Sequence, residues 1–91
     1  MYPIEVEKKL KRVWLGILEI ESVDHSTSYY KCGGDSLSVM LLITRIEEEF
    51  GIIVSLGDLH ENQTIHAQVN LILKLLSNPR EKTIDSFMPK I

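Results

Sequence analysis

The stretch CGGDSLSVMLLITRIEEEFG, Cys32 to Gly51, decides the fold. Stepping about 100° per residue gathers Val39, Leu42, Ile43, Ile46 and Phe50 on one side, the mark of a helix with one buried face. The helix is expected to begin at Asp35 or Ser36 and to end at Phe50, with Gly51 as its stop. Gly33 and Gly34 supply the turn that leads into it. Leu37, Leu41 and Thr44 fall on the opposite side, with Met40 between the two faces. Either other helices cover this second apolar group, or it is an exposed docking patch. The flexible methionine suits a surface that meets several partners. Ser36 at its edge favours docking.

Outward from this helix, the pattern stays helical. Val6, Leu10, Val13 and Ile17, widened by Trp14 and Leu18, predict an amphipathic helix from Pro3 to about Glu21. Ser22 to Gly34 is rich in Ser, Asp, Thr and Gly and reads as a long loop. Such a loop needs anchors, and Tyr29 and Tyr30 are the candidates. After Gly51, the apolar run Ile52 to Val54 could form a strand but has no second strand to pair with. A single helical turn is expected around Leu56 to His60. Thr64 is a suitable N-cap for a last helix with Ile65, Val69, Ile72 and Leu76 in its stripe, ending near Ser77 before Pro79. The fold class is therefore all-α, a small four-helix bundle of three main helices and one short one. Residues 1–77 form one domain. Residues 78–91, with Ile84, Phe87, Met88 and Ile91 in no clean period, read as a tail or linker.

Composition narrows the function. The chain has 91 residues, 44% of them hydrophobic, with 13 acids against 10 bases and a net charge of −3. Its core is thin, with little room for an enclosed active site. Nucleic acid is not the expected partner, since phosphate binding needs clustered Lys and Arg. Lys8, Lys9, Lys11 and Arg12, flanked by Glu5 and Glu7, read as a solvated helix face. One cysteine, Cys32, cannot make an internal disulfide and points to a reducing compartment. No apolar run approaches the roughly 20 residues of a membrane span, and charges crowd the place where a signal peptide would be apolar. A soluble, cytoplasmic chain with no membrane partner is expected.

Three roles are open to Ser36. It could cap its helix, as Asp35 also could. It could be a nucleophile, because Gly34 to Leu37 spell the GDSL of a serine esterase family. A nucleophilic serine needs a base and a group to orient that base. That family brings them as Asp-x-x-His near the C-terminus, a spacing that none of His25, His60 and His66 completes. The third role is a serine modified by another enzyme. A phosphate ester at a helix N-terminus is favoured by free N–H groups and by the dipole. The dipeptide alone carries no weight, since Asp85–Ser86 repeats it in the tail.

The stretch resembles the LGGDSL…L…FG signature of thiolation domains, the peptidyl or aryl carrier proteins of non-ribosomal peptide synthesis within the acyl carrier superfamily. VWLGIL resembles the end of that family's first helix, and VDHSTSYYKCGGDSL its aromatic loop. LGDLHENQTIHAQVNLI resembles its C-terminal part. The resemblance spans about residues 5 to 76. It implies a fold of the acyl carrier protein type in which Ser36, flanked by Gly34, Asp35 and Leu37, receives 4′-phosphopantetheine from coenzyme A through a phosphopantetheinyl transferase. The arm's thiol would hold an aminoacyl or acyl group as a thioester. The chain would act as a monomeric carrier with no catalytic residue and no metal. Leu37, Met40, Leu41, Leu56 and His60 would form the docking face. The implied partners are an adenylation or acyl-loading enzyme and a downstream condensation, tailoring or thioesterase enzyme. A polyketide or fatty-acid carrier, or an unmodified docking module, are the alternatives. Cys32 and His60 stand where the family has leucine and phenylalanine. Gln68 stands where leucine or alanine is common, which predicts a more polar exposed face on the last helix. Asp35 either caps the helix or holds a cation for the transferase.

Overall fold

The computed structural model describes residues 1–80, so the expectations for the tail beyond Arg80 lie outside the described residues. Four helices follow in order: α1 (Pro3–Leu18), α2 (Ser36–Phe50), α3 (Leu56–Glu61) and α4 (Ile65–Ser77), with no strand among the described residues. α1 packs against both α2 and α4, and α3 packs against α2.

Each helix starts on a physical cue in the sequence. Pro3 occupies the first turn of α1, where its missing N–H costs nothing. Asp35 caps α2, Ser55 caps α3 and Thr64 caps α4. Gly51 ends α2 in the left-handed region at φ 66°, where its amide reaches the Glu47 carbonyl. α1 stops three residues earlier than its periodicity suggests. Glu19 takes φ 54°, ψ 44°, a left-handed residue at a position carrying no glycine or proline to mark the stop. The segment Ile52–Val54 buries Ile52 and Val54 without forming a strand, and the Val54 amide is caught at 3.0 Å by the Glu47 carboxylate.

The core is built as the periodicities imply, from Val6, Leu10 and Trp14 of α1, Val39, Leu42, Ile43, Ile46 and Phe50 of α2, and Ile65, Val69, Ile72 and Leu75 of α4. Leu75, rather than Leu76, is the deeper residue at the end of α4. Gln68 overturns an expectation. It is 1% exposed and turns inward. Its Oε1 accepts from Trp14 Nε1 at 3.0 Å, and its Nε2 donates to the Asn62 carbonyl at 2.9 Å. The indole of a fully buried tryptophan has one N–H to satisfy, and the side-chain amide of Gln68 satisfies it while bracing the α3–α4 turn.

At the far end, Arg80 folds back onto α3. Its guanidinium pairs with Asp58, with Nη2 3.1 Å from Oδ1. Asp58 also accepts from the Ser55 amide at 2.8 Å as part of the α3 capping box. Arg80 first, and Ser55 with it, hold the Asp58 carboxyl down at about 2, against burial, which raises it.

Two outcomes follow. Gln68→Leu leaves the Trp14 N–H and the Asn62 carbonyl short of partners and should cost about 1–3 kcal/mol in urea unfolding; an unchanged midpoint would remove the network from the account. Asp58 has a folded pKa below its unfolded value of about 3.9, so its contribution is present above that value and lost as pH falls toward about 2. The stability advantage of the wild type over Asp58→Asn should therefore be full at pH 5–7 and gone near pH 2. An advantage independent of pH would contradict this.

Candidate phosphopantetheine attachment site

The site is made where the long loop meets α2. Tyr29 is 2% exposed and its ring stands edge-on to Trp14, centroids 4.9 Å apart. Its amide donates to the Gln63 carbonyl at 2.7 Å, tying the loop to the α3–α4 turn. Tyr30 does not share this role: it is 42% exposed, so one tyrosine anchors the loop and the other faces solvent. The Tyr29 hydroxyl is buried without a hydrogen-bond partner among the described residues, and burial pushes the phenol above its ordinary range. Ser38 offsets part of that rise, but its hydroxyl is already committed to Asp35. The loop has two further ties. The His66 amide donates to the His25 carbonyl at 3.2 Å, and His25 Nε2 lies 2.9 Å from a Glu7 carboxylate oxygen.

The two glycines serve different needs. Gly33 sits at φ 105°, a region that side chains disfavour. Gly34 lies flat against the Tyr29 ring, and a Cβ there would fall inside the ring's van der Waals envelope. The GG pair thus turns the chain and lets the backbone close onto its anchor.

Asp35 follows in extended conformation and resolves the question of the cap. Its carboxylate accepts from the Ser38 amide at 2.8 Å, and the Ser38 hydroxyl accepts from the Asp35 amide at 2.9 Å. This is a capping box with serine as the third helical residue. The Ser38 amide, in first place, holds the Asp35 carboxyl below its usual value. Ser36, the first residue of α2, is exposed and stands outside this box. Its hydroxyl faces solvent beside the free amides of a helix N-terminus.

The second apolar face of α2 is open. Leu37 is 82% exposed, with Met40 and Leu41 also exposed, and so is Leu56 at the start of α3. An open groove of about 410 Å³ joins Ser36 to α3, lined by Tyr30, Ser36, Leu56, Gly57 and His60. His60, exposed, thus shares a groove with Ser36. His25 and His66 do not: His25 pairs with Glu7, and His66 Nε2 lies 3.5 Å from Asn70 Nδ2. Among the described residues no hydrogen bond joins Ser36 to a histidine, and the base an esterase needs is not assembled. Cys32 is half-buried against the core, as a small apolar residue would be. No helix among the described residues is long and apolar enough to cross a membrane.

Residues 8–72 match the family described as phosphopantetheine attachment site. The chain belongs to that family of carrier domains. Among its relatives, surfactin synthase subunit 1 of Bacillus subtilis is 36% identical over 63 residues, covering 69% of this chain. The nonribosomal peptide synthetase verP of Clonostachys rogersoniana is 32% identical over 75 residues, covering 79% of it. The carrier spans only 2% and 4% of the lengths of those two synthetases. Its fold is that of the peptidyl carrier protein solved in complex with the transferase Sfp and coenzyme A. The TM-score is 0.73 at 23% identity, covering 76% of this chain and 90% of the other. The expected all-α carrier fold and the phosphopantetheine group are both borne out by these likenesses.

Sequence reasoning found Ser36 and the apolar face, but it missed Ser38, Gly57 and the separate tasks of the glycines. The Asp35–x–x–Ser38 spacing was a usable signal for the capping box. Gly34→Ala should lower unfolding stability by about 1–3 kcal/mol through the clash with a rigid ring, and Tyr29→Leu should remove most of that extra cost. An equal cost in both backgrounds would contradict the contact.

Proposed function

We propose that Ser36 is the residue that takes the 4′-phosphopantetheine arm, and that this chain is a thiolation domain holding an aminoacyl or acyl thioester in non-ribosomal peptide or related biosynthesis. The observation that carries the reading is the division of labour at the start of α2. Asp35 and Ser38 cap the helix, so the Ser36 hydroxyl is free to be esterified without loss of the cap. A phosphodiester there faces free helix amides and the positive end of the dipole. The Asp35 charge is turned onto the Ser38 amide, which limits its repulsion of the phosphate.

The transferase that delivers the arm reads a short exposed landmark. Leu37, Met40, Leu41, Leu56 and His60 surround the attachment point and form the docking face for it and for the enzymes that load and unload the thiol. Those are an adenylation or acyl-loading enzyme and a condensation, tailoring or thioesterase enzyme. The chain performs no chemistry of its own: the bond-making groups belong to its partners, and cargo identity is chosen by them. Residues 1–77 are the carrier unit and 78–91 a tail or linker. The carrier works as a monomer in the cytoplasm.

The test separates cap from attachment. The purified chain is incubated with coenzyme A, magnesium and a broad-specificity phosphopantetheinyl transferase, and its intact mass is read. Wild type and Ser38→Ala should gain one arm, while Ser36→Ala should gain none. Urea unfolding should show the reverse order: Ser38→Ala destabilised, and Ser36→Ala within about 0.5 kcal/mol of wild type. Loading of a folded Ser36→Ala chain would overturn the assignment.

A further inference from the structure

Gly57 is a glycine that the fold does not require. It is the second residue of α3, and its φ is not in the left-handed region. A Cβ there would meet only Ser55 Oγ, at 3.7 Å, an ordinary contact. A glycine inside a helix costs about 0.5–1 kcal/mol relative to alanine, and α3 has only six residues to bear it. Gly16 of α1 is equally free of close neighbours, so a missing side chain by itself says little. What distinguishes Gly57 is its place in the groove that contains Ser36.

That groove, about 410 Å³, has the size of a small-molecule site, roughly 300–1,000 Å³. Its walls are the Leu56 side chain and the Tyr30 ring, with the His60 imidazole and the Tyr30 hydroxyl as polar points. Such sites are mostly apolar with a few groups that fix orientation. A pantetheine arm offers the matching chemistry: a gem-dimethyl carbon and methylenes for the walls, and a phosphodiester and two amides as acceptors for an imidazole N–H.

We propose that this groove is the resting seat of the arm, with Gly57 leaving the room and His60 donating to an arm oxygen. The proposal rests on Ser36 as the attachment point. The occupant follows from the position of that serine, which itself lines the groove, so an arm attached there begins inside it. Tethering sets an effective concentration in the millimolar range, so even weak contacts fill the seat. A seated arm keeps its thioester out of bulk water, and a partner that docks on Leu37, Met40 and Leu41 draws it out.

The experiment compares isotope-labelled apo chain with chain loaded by transferase and coenzyme A, loading being verified by intact mass. Loaded wild type should show nuclear Overhauser contacts between the arm's methyl groups and Leu56, and shifted Gly57 amide and His60 ring resonances. Gly57→Leu fills the groove and His60→Ala removes the donor. Both should load but lose those contacts, with the rest of the α3 spectrum confirming that the helix is intact. Verified loading with perturbations confined to Ser36 and its sequence neighbours would overturn the seat while leaving the attachment standing. Failure of the wild type to load would overturn both.

Discussion

The structure depends on where the Tyr29 ring goes. It is driven into the core edge-on to Trp14, and Gly34 closes over it because nothing but hydrogen projects from its Cα. The Tyr29 amide then fixes the loop to the Gln63 carbonyl. A loop joining two helices in a domain this small would otherwise hold its C-terminal end loosely. With the ring in place, Gly33, Gly34 and Asp35 are delivered in one geometry to the start of α2. The position of Ser36 is a consequence of that packing, and the serine itself contributes nothing to it.

The same corner separates stability from chemistry. The helix start needs a cap, and the Asp35–Ser38 box supplies it with two reciprocal bonds. The attachment residue is thereby relieved of a structural task and can be modified without unwinding the helix that presents it. A second polar network does the corresponding work behind the site. Gln68 joins Trp14, which backs Tyr29, to the turn that also receives the Tyr29 amide. The loop, α1 and the α3–α4 turn are therefore coupled through two aromatic rings and one buried amide, and they support one exposed hydroxyl.

Much of this was legible in the sequence. The core faces of α1, α2 and α4 follow from apolar spacing, because burial imposes that spacing directly. The caps at Asp35 and Thr64 follow from residue type. The second apolar face of α2 was visible on the helical wheel, and the exposure of Leu37 decided its meaning. What could not be read depends on contacts between residues far apart in sequence. The early stop of α1 at Leu18 has no glycine or proline behind it. The inward turn of Gln68 requires knowing that an indole N–H, 54 residues away, lies opposite. The split between Tyr29 and Tyr30 requires knowing which ring meets Trp14. Helical periodicity does not register any of these.

The central claim is that Ser36, and not its neighbour in the capping box, bears the arm. The most direct measurement is fragmentation mass spectrometry of the peptide containing both Ser36 and Ser38, taken from chain loaded with coenzyme A and a transferase. The account expects the added phosphopantetheine on fragments that include Ser36 and exclude Ser38. An arm found on Ser38 would contradict it, because the residue that closes the capping box would then be the one modified.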